Sequence, residues 1–161
     1  MKGLTRLDGP LWRILTEGTD PLAGAQNPEG RFHHDGQPAL YAALTPEGAA
    51  ASLTRYLGPD DPLRMIVELE VAGGAILDLD TPDLPAGIDG ETARHRWDID
   101  RKAGRFPPTW TMSDRIRAAG WDGFLYPSRL RPDLRNVCHF RWNEAGGPIL
   151  TPRGQPEPWH P

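Results

Sequence analysis

Eighteen glycines and eighteen prolines punctuate the 161 residues of this chain, breaking the backbone into short segments along its length. Proline fixes φ and has no N–H to donate, and glycine loses the most backbone freedom on ordering, so neither suits a long helix or a central strand. The chain is confined to short strands and a few short helices joined by loops. Combined Gly and Pro nevertheless stay under the roughly 25–30% that marks a low-complexity chain. A chain of this length buries about two thirds of the surface that it exposes when unfolded. One folded, loop-rich domain is expected.

The segments between the breakers have readable periods. Leu11–Leu15 reads as a first short strand, followed by a long loop marked by Gly18, Pro21, Gly24, Pro28 and Gly30, and Ala39–Ala43 as a second. Thr45-Pro46-Glu47 is a helix start, with a capping hydroxyl, proline in the first turn and an early acid. The alanine-rich run carries that helix through Tyr56-Leu57 to the stop at Gly58-Pro59. Arg64–Val71 alternates apolar and charged residues from Ile66, the period of a half-buried strand, and pairs across Gly73-Gly74 with Ala75–Leu79 as a hairpin.

Asp80 to Pro108 reads as a long polar connection with one short helix around Gly90 to Trp97. Ser113–Ala119 is a helix ended by Gly120, Phe124–Tyr126 a buried strand, and Asn136–Trp142 a further strand. Residues 1–150 form the domain, and 151–161, rich in proline, an extended surface tail. Strands and helices do not alternate regularly, so the class is α+β: a single compact domain with a small, mixed or antiparallel sheet and a few helices.

Several functions are disfavoured. A net charge of −4 argues against a surface devoted to nucleic acid. The basic residues from Arg129 to Arg141 read first as a solvated loop. A single cysteine, Cys138, excludes an internal disulfide and fits a reducing, cytoplasmic setting. No run approaches the ~20 apolar residues of a membrane span. Five histidines lack metal-site spacing, so no metal is expected, and Asp78, Asp80 and Asp83 read as a solvated turn. Neither a Gly-x-Gly-x-x-Gly fingerprint nor a P-loop occurs.

Two blocks carry chemistry. Gly30-Arg31-Phe32 places a guanidinium fork beside an aromatic wall, and Tyr41 follows in an apolar strand. Phe124-Leu125-Tyr126-Pro127-Ser128-Arg129 ends a strand with an aromatic, a hydroxyl and a second cation. An arginine, aromatic faces and a hydroxyl suit a dinucleotide pocket. Without a Gly-x-Ser-x-Gly elbow, Ser128 reads as a ligand anchor rather than a nucleophile.

Gly30-Arg31-Phe32, the run Gly36–Glu47 and Ala119–Arg129, with Asn136 and Phe140, together resemble the RES-domain family over about Leu11 to Phe140. The resemblance implies a fold similar to ADP-ribosyltransferases and a toxin of a toxin–antitoxin pair acting on NAD. Its members consume NAD by hydrolysis or phosphorolysis, or transfer ADP-ribose to a protein. The implied partner is an Xre-type antitoxin that blocks the pocket, and DNA contact then belongs to that partner. Carried over by position, Arg31 holds the NAD phosphates, Tyr41 lies against the nicotinamide or its ribose, and Ser128 is the family serine. Phe32, Tyr126 and Asn136 complete the binding set.

The family glutamate is missing. Relatives read Ser-Pro-Glu, a few small residues and then the acid, whereas Thr45-Pro46-Glu47 here leads through Gly48–Ala51 to Ser52. Glu47 lies five residues earlier, about 140° around a helix, and cannot simply substitute. Breaking the nicotinamide–ribose bond develops oxocarbenium character, which a nearby carboxylate stabilises. Ser52 as a hydrogen-bonding stand-in, an acid supplied elsewhere, and an attenuated, non-catalytic binding module are the three readings of that replacement.

Overall fold

The computed structural model describes residues 3–53 and 57–161. Eight strands and four helices follow in the order β1 (Leu4–Thr5), β2 (Gly9–Thr16), β3 (Leu40–Ala43), α1 (Pro46–Leu53), β4 (Arg64–Ala72), β5 (Ile76–Asp78), α2 (Gly90–Ala93), α3 (Trp97–Lys102), α4 (Pro108–Ala118), β6 (Gly123–Pro127), β7 (Arg135–His139) and β8 (Ile149–Trp159). The strands form one mixed sheet in the order β1-β5-β6-β7-β3-β2-β4-β8, in which β5 and β6 run parallel and the other pairs antiparallel. The expected α+β class holds.

The hairpin expected across Gly73-Gly74 does not form. β4 pairs with β2 and β8, while β5 pairs with β1 and β6. Four residue steps join Ala72 to Ile76, a reach of roughly 14 Å. On a flat sheet five strand spacings between β4 and β5 would span roughly 24 Å. The sheet therefore curls until its two halves face each other. Gly73 and Gly74, with φ of 79° and 92°, turn the chain across that gap in a conformation that L side chains rarely adopt.

Strand alternation then divides the core. Leu40, Ala42, Ile76, Leu125 and Val137 point inside the curl with Leu11, Leu69, Val71 and Leu150. Leu77, Phe124, Tyr126 and Cys138 point to the other face, where Met112 and Ile116 of α4 and Ala93 of α2 cover them together with Phe32. Gly123 has to be glycine, because a Cβ there would lie 2.4 Å from the Cys138 carbonyl oxygen.

Other elements depart from the sequence reading in detail. Residues 80–108 hold two short helices, and α4 starts at Pro108 rather than Ser113, since Pro107-Pro108 supplies the pre-set φ of a first turn. The strand expected from Asn136 to Trp142 is shifted to Arg135–His139. The expected continuation of α1 through Tyr56 lies outside the described residues, and Leu57 is not helical. Asp78 and Asp80 are not merely a solvated turn, since both carboxylates pair with Arg135.

The proline-rich end is extended and exposed, but it is paired with β4 rather than loose. Pro152 and Pro158 stand opposite Leu69 and Met65 on either side of a β-bulge, and proline is tolerated on such an edge strand, where it discourages further strand pairing. Among the described residues, no helix is long and apolar enough to cross a membrane.

Candidate active site

Register assembles the site. Asn136 of β7 stands opposite Ala43 of β3 on one side and Tyr126 of β6 on the other, and Tyr41 stands opposite Cys138 one row away. Directly opposed residues share a face of the sheet, so these three strands together present Tyr41, Ala43, Tyr126 and Asn136. Helix α1 closes one end of this floor. Thr45 Oγ1 accepts the Gly48 N–H at 3.0 Å and starts the helix, and Gly48 packs so tightly that a Cβ would lie 3.1 Å from that of Ala43. The floor opens into a cavity of about 550 Å³, within the range of small-molecule sites.

Arg31 reaches this cavity from the loop before β3. The loop is pinned by three hydrogen bonds: Gly30 N–H to the His33 carbonyl at 2.9 Å, Trp110 Nε1 to the Gly30 carbonyl at 2.7 Å, and a 2.9 Å contact between His33 Nε2 and the Asn27 carbonyl. Arg31 itself is half-buried and lines the cavity. No described residue pairs with its guanidinium. Its donors remain available to a ligand.

Tyr41 also lines the cavity. Its hydroxyl accepts the Phe32 N–H at 3.0 Å and lies 2.7 Å from His33 Nδ1. Burial raises the Tyr41 hydroxyl pKa well above its ordinary value, so it stays protonated at neutral pH. Ser128 follows Tyr126 by two residues on the same face, buried at the cavity wall, with its backbone N–H donated to the Leu134 carbonyl at 2.9 Å. Arg129 lines the cavity beside it, and its own carbonyl accepts Arg94 Nε at 3.2 Å.

Ser52, one helical turn beyond Gly48, lies at the rim. Its hydroxyl donates to the Gly48 carbonyl at 2.9 Å and accepts Asn136 Nδ2 at 3.3 Å. Glu47, on another side of α1, is exposed and does not line the cavity.

Arg13, Arg31, Arg64 and Arg129 all line the cavity, whereas Glu29 is the one carboxylate among its described lining residues. Glu29 is held by Arg101, through Nε at 3.3 Å and Nη2 at 3.1 Å. Arg13 is 7% exposed and donates to the Tyr41 and Pro21 carbonyls at 3.0 and 2.6 Å. Burial brings its pKa down to about 10, which leaves it charged at neutral pH. Such a cavity favours an anion. Trp97 and Tyr126 supply aromatic surface beside these cations.

Of the residues singled out from sequence, Arg31, Tyr41, Ser52, Tyr126, Ser128 and Asn136 meet at this cavity. Phe32 does not. It is fully buried on the helix side of the sheet, edge-on to Phe124 and Tyr126 with ring centroids 4.8 and 4.7 Å away. Tyr41 and Tyr126 of the cavity floor lie on that same face, so Phe32 sits beneath the floor, in the core cluster with Phe124 and Met112, rather than at the cavity wall. Sequence assigned no site role to Arg13, nor to His33, although His33 directly follows Arg31-Phe32. Arg13 looks like any strand arginine, and histidine spacing addresses metals rather than hydrogen-bonded pairs. Among the described residues no group of three or more His, Cys, Asp or Glu could hold a metal ion.

The RES-domain family model matches residues 10–159, nearly the whole chain. This chain belongs to the RES-domain family. No curated protein sequence matches it at a significant level. Among solved structures, this RES domain is similar to a chain of the M. tuberculosis MbcT–MbcA toxin–antitoxin complex, with a TM-score of 0.68 and 16% identity. The likeness covers 98% of this chain and 87% of that one. At that identity it establishes a shared fold. The matched region of the RES domain ends at residue 159, so β8 falls within it and is part of the domain's sheet.

Proposed function

We propose that this RES domain is the toxin of a toxin–antitoxin pair and consumes NAD by breaking the nicotinamide–ribose bond, through hydrolysis or phosphorolysis. One observation carries the reading: Arg31, Tyr41, Ser128 and Asn136, from four separate segments, converge on one cavity lined by four arginines. In this reading Arg31 grips the phosphates with a bidentate fork, Tyr41 lies toward the nicotinamide ribose, and Ser128 and Asn136 anchor polar groups of the ligand. The similarity to a chain of the MbcT–MbcA complex supports the toxin role and an antitoxin partner. An Xre-type antitoxin that covers the cavity, and action in the cytoplasm, belong to the same proposal.

As the glycosidic bond breaks, positive charge grows on the ribose carbon while nicotinamide leaves as a neutral base. Water or phosphate then takes the ribose carbon. Residues that hold both ends of the dinucleotide lower the barrier by orientation. The charge itself calls for a carboxylate, and Ser52 occupies the position where the family has one. That replacement favours a second reading in which the cavity binds NAD with little turnover.

Purified protein incubated with NAD, with and without phosphate, and with cell extract, separates the readings. Free ADP-ribose or its phosphate supports NAD consumption, and labelled extract protein supports ADP-ribosyl transfer to an acceptor. NAD binding without product supports the attenuated module. Neither binding nor product removes NAD from the account.

A further inference from the structure

We infer that His33 is a positioning residue that takes the hydroxyl hydrogen of Tyr41, so that Tyr41 can offer the cavity only an acceptor and selects a ligand group carrying a hydroxyl or amide hydrogen. The proposal deepens the nucleotide reading of the cavity and rests on it for the identity of the ligand.

His33 Nε2 lies 2.9 Å from the Asn27 carbonyl, which only accepts, so Nε2 carries a hydrogen. In a neutral imidazole Nδ1 then bears a lone pair. Tyr41 Oη, 2.7 Å away, must donate to it. The same oxygen already accepts the Phe32 N–H at 3.0 Å. One lone pair is left. Both residues line the cavity.

The surroundings hold this pair in place. A Cβ on Gly30 would lie 2.2 Å from His33 Cε1 and 2.7 Å from Nδ1, so only glycine lets the ring occupy its position. The Gly30 N–H and carbonyl are in turn bonded to His33 and Trp110. His33 is 2% exposed, and its burial favours the neutral form. Arg117 of α4 and His34 push the same way, whereas Glu29 and the Asn27 bond oppose them. On the far side, Cys138 of β7 and Tyr126 of β6 face Tyr41. If His33 does gain a second proton in acid, Nδ1–H donates to Tyr41 Oη. The tyrosine hydrogen must then turn away, and the acceptor is lost to the ligand.

The test joins ¹⁵N NMR of the His33 ring in ligand-free protein to NAD titration calorimetry on wild type, His33→Asn, His33→Leu, Tyr41→Phe and the His33→Leu/Tyr41→Phe double variant. The expected spectrum shows Nε2 protonated and Nδ1 bare. Loss of one hydrogen bond of this kind is worth about tenfold in affinity. His33→Leu and Tyr41→Phe should each lose about that much, the double variant no more than either, and His33→Asn, whose oxygen can stand near Nδ1, should recover most of it. NAD affinity should fall in acid for wild type and stay level for His33→Asn. A protonated Nδ1 at neutral pH, or additive losses, would overturn the proposal. The tautomer is read without ligand, so a wild type that binds no NAD sinks the nucleotide reading while the spectrum still decides the placement of the proton.

Discussion

Asn136 Nδ2 donates to Ser52 Oγ at 3.3 Å, joining the middle strand of the cavity floor to the last turn of α1 across 84 residues of sequence. The residue at position 52 is therefore held over the same floor as Tyr126 and Tyr41. A carboxylate placed there would meet the Asn136 amide and face the cavity.

Ser52→Glu should raise NAD turnover by about 10²-fold, the scale on which one positioned electrostatic partner acts in comparable sites. Steady-state nicotinamide release from the variant and the wild type measures it. Equal rates would mean that position 52 is not where this cavity lacks charge. Ser52→Ala leaves Asn136 Nδ2 without its acceptor and should cost about 1 kcal/mol in denaturant unfolding.

Arg31→Ala should abolish NAD binding and relieve toxicity in cells without lowering stability. The guanidinium has no partner among the described residues, so its removal breaks no internal hydrogen bond or ion pair, and the change in stability should stay within about 0.5 kcal/mol. Calorimetric titration and a thermal melt of the same preparation test both halves. Retained binding would take Arg31 out of the site.

Phe32→Ala should destabilise the protein by about 3–5 kcal/mol, as expected for emptying a fully buried aromatic site, because Phe124 and Tyr126 pack directly on that ring. Urea unfolding followed by fluorescence gives the number. A loss below about 1 kcal/mol would return Phe32 to the cavity wall.

Acid should destabilise the fold through His139. Its ring is fully buried, neither nitrogen has a hydrogen-bond partner among the described residues, and burial pushes its pKa down to about 4. The unfolded histidine titrates near 6.5, so between about pH 6.5 and 4 the unfolded chain binds the extra proton. Stability is thus full above pH 6.5, falls as pH drops through this window, and levels off below it. The loss approaches about 3 kcal/mol. Unfolding free energies of wild type and His139→Phe across this range check it, and equal slopes would remove His139 as the cause.

Much of the site was legible in local sequence. Arg31, Tyr41 and Ser128 stand in short motifs whose residue types suit an anionic ligand, while Asn136 and position 52 were picked out by the resemblance to the family pattern. Phe32 falls beneath the cavity floor rather than on its wall, because how deep an aromatic beside a site arginine settles depends on what packs against it. The pairing of β4 was misread because adjacency in sequence favours a hairpin, and only burial of Ile76 with Leu69 and Val71 within the curl shows why the chain crosses instead.

The sequence by itself determined the α+β class, the short elements between glycine and proline breakers, and the family to which its motifs point. The class and the elements rest on interactions within a few residues, namely φ restriction, capping and apolar period, whereas the family rests on the resemblance of the motif blocks. Only the tertiary structure decided that Asn136 meets Ser52, that His33 meets Tyr41 and that Arg13 lies buried under the cavity. Those contacts follow from strand register and sheet curl, which are settled by the joint packing of segments far apart in the chain.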